Sequence, residues 1–208
     1  MNHRTVLPAT ALVLGLALAG CSSTSTGSTP GTGPSSSSSP ALTAQPGVVF
    51  NDADVTFLTG MYPHHAQALE MATMVEGRST TQSVIDLATR IKAEQQPEMD
   101  TITSLLARFG KPAPSTAMSG MGSSGMSGMS GMSGMMTGED MSKLGTLSGT
   151  EFNKTWLTMM TDHHAGAVEM AKVELVRGSN ADAKTLATNI IAAQQAELTL
   201  MKGLLAQP

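Results

Sequence analysis

The chain reads as all-α, a four-helix bundle made of two duplicated αα-hairpins, and three observations carry that expectation. Sliding the sequence against itself aligns Phe57–Leu106 with Trp156–Leu205 without a gap, at an offset of 99 residues and with 21 of 50 positions identical. Chance likeness between amphipathic helices does not hold one register through two helices and a turn. Within each copy, apolar residues recur at three- and four-residue spacing, as one face of a helix does. Finally, a single hairpin of this size can hardly shield its own apolar face, so the two copies should pack on each other.

Residues 1–20 read as a bacterial export signal. Arg4 precedes an apolar run from Val6 to Ala19, shorter than the roughly 20 apolar residues of a membrane span. The run ends in Leu18-Ala19-Gly20-Cys21, which resembles the bacterial lipobox. That resemblance implies cleavage before Cys21 and lipidation of its thiol, with each buried acyl methylene contributing about 0.8 kcal/mol of membrane affinity. The expected location is extracytoplasmic, lipid-anchored to the cell membrane. Residues 21–50 form a tether, of which 22–40 are only Ser, Thr, Gly and Pro, a composition that cannot bury enough apolar surface to fold. Cys21 is the sole cysteine, so the folded part has no disulfide and no thiolate ligand.

The first hairpin is expected over residues 51–110. Val55, Leu58, Met61, His65, Ala68, Ala72 and Val75 mark the face of its first helix, which ends near Gly77. Ser79-Thr-Thr-Gln82 reads as a capping box opening the second helix. Pro63 and Pro97 fall inside these helices, where a proline removes a hydrogen bond and costs about 3 kcal/mol, so local kinks are expected. Residues 111–149 read as a flexible Met/Gly/Ser-rich linker. The second hairpin, 150–208, repeats the first, with Gly178 closing one helix and Ser179-Asn-Ala-Asp182 starting the next. The span 51–208 forms one domain.

Composition excludes several functions. A formal net charge of −4 with 13% charged residues lacks the basic stripe of a nucleic-acid surface, and 3% aromatics are too few for stacking platforms or a carbohydrate cleft. Methionine runs the other way, with 17 residues.

Beyond the signal segment, the chain has four histidines: His64, His65, His163 and His164, two pairs at equivalent positions of the repeat. On a helix, Met61, His64, His65, Ala68, Met71 and Ala72 fall within an arc of about 120°. Met160, His163, His164, Ala167, Met170 and Ala171 do the same. Each unit thus places two imidazoles and two thioethers on a stripe facing the core, and that ligand set suits Cu(I) or Ag(I). Thioethers bind at any working pH and survive where thiols oxidise. A di-iron bundle would need Glu-x-x-His on two helices, but Met61 and Met160 stand three residues before the first His of each pair. The alternative is that the His pairs are core elements, hydrogen-bonded to Gln95, Glu98, Gln194 or Glu197, and that the Met only pack. The same Glu residues could equally orient a liganding His from behind. Glu70 and Glu169 lie on the opposite side and should face solvent or a neighbouring helix.

Eight further Met lie in the linker: Met118, Met121, Met126, Met129, Met132, Met135, Met136 and Met141. A plain tether needs none, as residues 22–40 show, so they are candidate accessory ligands; the alternative is a repeat-expanded loop. With an r.m.s. span of about 35 Å, the linker could bring them to either end of the bundle.

The blocks FLTGMYPHHAQALEMA and WLTMMTDHHAGAVEMA, each followed by a helix carrying Gln-Gln-x-Glu, resemble the bacterial domain of unknown function 305 over nearly all of residues 52–206. The resemblance implies a ferritin-like helical bundle in exported proteins, some of them copper-binding. By position it points to His64, His65, Met71, Gln95 and Glu98, and to His163, His164, Met170, Gln194 and Glu197. The leading expectation is therefore a copper-binding protein that buffers, sequesters or delivers Cu(I), without catalytic turnover. Its partners would be the metal ion, the membrane through its anchor, and a copper-delivery partner or a second copy; nucleic acid is not among them. The competing readings are a haem- or metal-dependent redox bundle and a metal-free interaction module.

Overall fold

The computed structural model describes residues 42–114 and 132–207, all within one compact unit. Cys21, the signal segment, most of the tether, and Met118, Met121, Met126 and Met129 lie outside the described residues. The described residues are all-α: α1 Asp52–Met74, α2 Gln82–Arg108, α3 Gly138–Thr146, α4 Gly149–Arg177 and α5 Ala181–Leu205. None of these helices is long and apolar enough to cross a membrane.

Helix α1 starts at a reciprocal cap. The Asn51 side chain accepts from the amides of Ala53 and Asp54, while the Asp54 carboxylate accepts from the Asn51 amide at 2.6 Å. Asp54 also accepts from the Ser179 amide and hydroxyl and from the Asn180 amide, tying the start of α1 to the α4–α5 turn. Helix α1 gives way at Met74 to a turn through Gly77, whose φ of +73° suits a residue without Cβ.

Two start signals sit one or two residues from where the sequence suggested. Thr81, not Ser79, is the N-cap of α2; Ser79 Oγ instead accepts from the Thr81 amide within the turn. Asn180, not Ser179, caps α5, accepting from the amides of Asp182 and Ala183, because Ser179 is engaged by Asp54. Helical structure continues through both Pro63, which is buried, and Pro97, which is exposed.

Helix α1 packs on α2 and α4 packs on α5, while α1 meets α4 and α2 meets α5. Helices α1 and α4 run antiparallel. Asn51, at the start of α1, donates to the Arg177 carbonyl at the end of α4. Trp156, near the start of α4, donates its indole N–H to the Met71 carbonyl at 2.8 Å. The core divides into two clusters. One holds Met71, Leu87, Ile91, Phe152, Trp156, Met160 and Met201; the other holds Phe57, Leu58, Met61, Ile102, Leu106 and Ile190.

The segment expected to be wholly linker is partly ordered into the fold. Thr137 and Asp140 form a capping box at the start of α3, and Met141 and Leu144 enter the first core cluster. Helix formation there follows from that cap and from two apolar side chains three residues apart, a local signal masked by the Met-Ser-Gly composition around it.

Candidate metal centre

The antiparallel crossing of α1 and α4 brings the two His pairs together at mid-helix. The His64 and His163 rings are 3.8 Å apart between centroids and tilted by 44°, and the His163 and His164 centroids are 6.3 Å apart. All four imidazoles are buried, none more than 1% exposed.

Each ring's surroundings determine which nitrogen is left over. Nε2 of His65 lies 2.7 Å from Glu98 Oε2, and Nε2 of His164 lies 2.8 Å from Glu197 Oε2. A carboxylate can only accept, so Nε2 carries the proton in both. Nε2 of His64 donates to the Ser133 carbonyl at 3.3 Å. Nδ1 of His64, His65 and His164 has no hydrogen-bond partner. His163 has no partner at either nitrogen. The buried amides add to this: Gln95 is unpartnered at both Nε2 and Oε1, and Gln194 at Oε1. Leaving a buried polar atom unpaired costs about 1–3 kcal/mol, and a cluster of this size is what a ligand-binding centre looks like without its ligand's bonds.

Burial also fixes protonation. Desolvation, reinforced by the neighbouring His65, pushes His64 down to about 3, with the Ser133 carbonyl opposing. Desolvation and then the three other imidazoles hold His163 well below its ordinary value. Both are neutral at pH 7, so no proton must leave before their lone pairs are used.

The thioethers are arranged across the repeat rather than within it. Met61, buried, and Met170, half-buried, belong to one core cluster; Met71 and Met160, both fully buried, belong to the other. Each cluster therefore holds one stripe thioether from each unit, as the antiparallel crossing of α1 and α4 allows. The sequence stripe had suggested a His/Met set within each unit. Glu70 and Glu169 are exposed, as expected. Among the described residues, no three His, Cys, Asp or Glu side chains converge as a metal-holding group.

Of the described linker residues, Met141 is buried, Met136 packs against the first cluster, and Met132 and Met135 are half-buried. Sequence reasoning missed two contacts with the array. One is the Ser133 carbonyl on His64. The other is Gln67, whose side-chain amide donates to the Met136 carbonyl at 2.9 Å and accepts from the Met136 amide at 2.8 Å. Its signal was present: Gln67 stands opposite Gly166 in the repeat, a divergence inside the best-matched block.

An all-helical domain whose two repeats bring four buried imidazoles together among core methionines defines the class of protein. The chain belongs to the DUF305 family (domain of unknown function), whose model matches residues 54–205. A DUF305 protein from Streptomyces coelicolor, inferred to be secreted, is 34% identical, with a TM-score of 0.64 over 74% of this chain and 91% of that one. A DUF305 fragment from Deinococcus radiodurans is 29% identical, with a TM-score of 0.64 over 74% and 96%. CopM in its Cu(II)-bound form is 29% identical, with a TM-score of 0.61 over 73% and 95%; its Cu(I)-bound form gives 25%, 0.57, 73% and 94%. No curated protein matches the chain by sequence.

Proposed function

We propose that this protein is a lipid-anchored, extracytoplasmic metal-binding protein that buffers, sequesters or delivers Cu(I), and binds Ag(I) in the same way, through its His/Met array. The observation that carries this reading is the set of buried imidazole nitrogens without partners at the α1–α4 crossing, with methionines of both repeats in each core cluster. Neutral nitrogen and thioether sulfur are donors that soft monovalent cations favour. His64, His65, His163 and His164 act as the nitrogen ligands, with Met61 and Met170 at one end and Met71 and Met160 at the other. Glu98 and Glu197 hold His65 and His164 in the tautomer that presents Nδ1. The fold around them is a four-helix, ferritin-like bundle of two hairpins, tethered to the membrane through Cys21. The copper forms of CopM support the choice of metal. A copper-delivery partner or a second copy would receive or share the ion.

A metal-free interaction module accounts for the His65–Glu98 and His164–Glu197 pairs but leaves His163 buried with neither nitrogen satisfied. A haem held between His64 and His163 would need the rings on opposite porphyrin faces, and centroids 3.8 Å apart leave no space for it.

The test is titration of the full-length chain, carrying Cys21→Ser to remove the one thiol, with Ag(I) and with Cu(I) under reductant. It is followed by metal analysis beside a variant with all four His changed to Gln, checked for helicity. Binding that is tight in the parent and lost in the variant supports the reading. A parent that takes up neither ion overturns it.

A further inference from the structure

We propose that Met132 and Met170 form a thioether subsite over Gly60, through which a soft monovalent cation enters from solvent and passes to His64. The inference rests on the metal-binding reading above and adds to it a linker residue, a route and a direction.

The first observation is convergence on a bare patch of helix. A Cβ on Gly60 would lie 3.1 Å from the Met170 methyl and 3.2 Å from the Met132 methyl. Two thioethers from distant parts of the chain thus meet where α1 offers only hydrogen. The repeat counterpart of Gly60 is Met159, so the other unit has no such floor.

The second observation is how Met132 is held there. Residues 132–137 are strapped across α1 and α4. On α1, the Gln67 amide grips the Met136 backbone with two hydrogen bonds. On α4, Gly166 supplies the room: a side chain there would collide with the Ser133 carbonyl. Gly134, at φ +82°, lies so close to the Asp162 carbonyl that its own Cβ would be 2.6 Å from that oxygen. The two repeats diverge to Gln67 and Gly166 at an equivalent position that the strap touches on both helices. Ser133, next to Met132, accepts from His64 Nε2, so the strap sets the thioether beside the imidazole array.

The third observation is access. Met71, the repeat counterpart of Met170, is fully buried. Met170 is half-buried and lines a surface cavity of about 390 Å³ with Asp52, Thr56, Phe57, Glu174 and Arg177. The two ends of the array are therefore unlike. The Met71/Met160 end is closed by Trp156, Met141 and Leu144, and the Met170 end opens to water. Thioethers suit an entry role because they exchange soft cations without gaining or losing a proton.

The experiment uses the full-length Cys21→Ser chain labelled at its Met methyl carbons and His rings, titrated with Ag(I) and followed by NMR. Met132→Leu and Met170→Leu variants assign the two methyl resonances. Both methyls are expected to shift in the same titration step, and the double Leu variant is expected to load its His rings at least tenfold more slowly. Gln67→Ala, which frees the strap and replaces no ligand, should slow loading in the same direction. Methyl resonances that stay still while the His rings respond, or an unchanged loading rate in the double Leu variant, overturn this inference alone. Methyls that shift without any His response keep the subsite and overturn the imidazole reading, and silence at both overturns the two together.

Discussion

The stability of the metal-free chain should peak near pH 6.5, and the reason lies in three buried groups of opposite sign. His64 and His163 are neutral in the fold, His64 with its value pushed down from 6.5 to about 3 by burial. Below pH 6.5 the unfolded chain takes up protons that the fold refuses. Their contribution is therefore complete above 6.5 and is lost as pH falls, for His64 until about 3, at up to about 1.4 kcal/mol per pH unit for each ring. Glu174 acts the other way. Burial, and then its contact with the Asp54 carboxylate, raises it from 4.5 to about 8. The fold keeps a proton there that the unfolded chain has released, so this contribution is complete below pH 4.5 and is lost as pH rises to 8. Only 1% exposed, Glu174 lines the surface cavity beside Met170.

From pH 6.5 to 4.5 two falling contributions outweigh one rising one, which leaves a net loss of about 2 kcal/mol on acidification. Above 6.5 only Glu174 titrates and stability declines gently. Against a total of about 5–15 kcal/mol for a domain, such a change is readily measured. The assay is urea unfolding followed by circular dichroism between pH 4 and 8.5, with chelator present. Glu174→Gln should flatten the alkaline side and leave the acid limb intact. Stability that stays level or grows between pH 6.5 and 4.5 would show that the imidazoles are not desolvated, and the reasoning about their availability as neutral ligands would fall with it.

Other expectations follow from single contacts. Glu197→Leu leaves His164 Nε2 buried without its acceptor, which should cost about 1–3 kcal/mol in urea unfolding and weaken Ag(I) binding about 10–100-fold by competition titration; unchanged affinity would mean that Glu197 does not orient His164. Leu144→Ala empties a fully buried site where α3 enters the core and should cost about 2–4 kcal/mol, whereas a loss under about 0.5 kcal/mol, typical of a surface position, would place α3 outside the cooperative fold. Gly166→Ala drives a methyl into the Ser133 carbonyl and should expose residues 132–137 to limited proteolysis while the helices stay intact, and a parent-like digestion pattern would show that the strap tolerates the side chain.

Much of this protein was legible before any coordinates. The 99-residue offset, the three-and-four periodicity and the His-His blocks are local or self-referential signals, readable wherever the side chains point. They yielded the all-α class, the family, and the burial of His64, His65, His163 and His164. Start signals were legible to within two residues only, because Ser79 and Ser179 compete with Thr81 and Asn180 for roles that depend on what else is nearby. Asp54 reaching across to Ser179 is such a dependence. Helix α3 had a readable cap in Thr137 and Asp140, hidden by the composition of its surroundings.

What the sequence determined by itself is the inventory: which donors exist, that each unit lines them on one helical face, and that no thiol shares the fold with them. Only the tertiary structure decided how they combine. Antiparallel packing of α1 on α4 brings His64 against His163 and puts Met61 and Met170 in one core cluster and Met71 and Met160 in the other, so each cluster draws on both repeats. The docked strap then makes the two ends unequal, one closed by Trp156 and α3, the other open beside Gly60. Periodicity along a helix records which face a residue occupies, but the direction in which two helices cross is set by the shape and area their faces bury together. Such pairings, between residues a hundred positions apart, come into being only when the chain has folded.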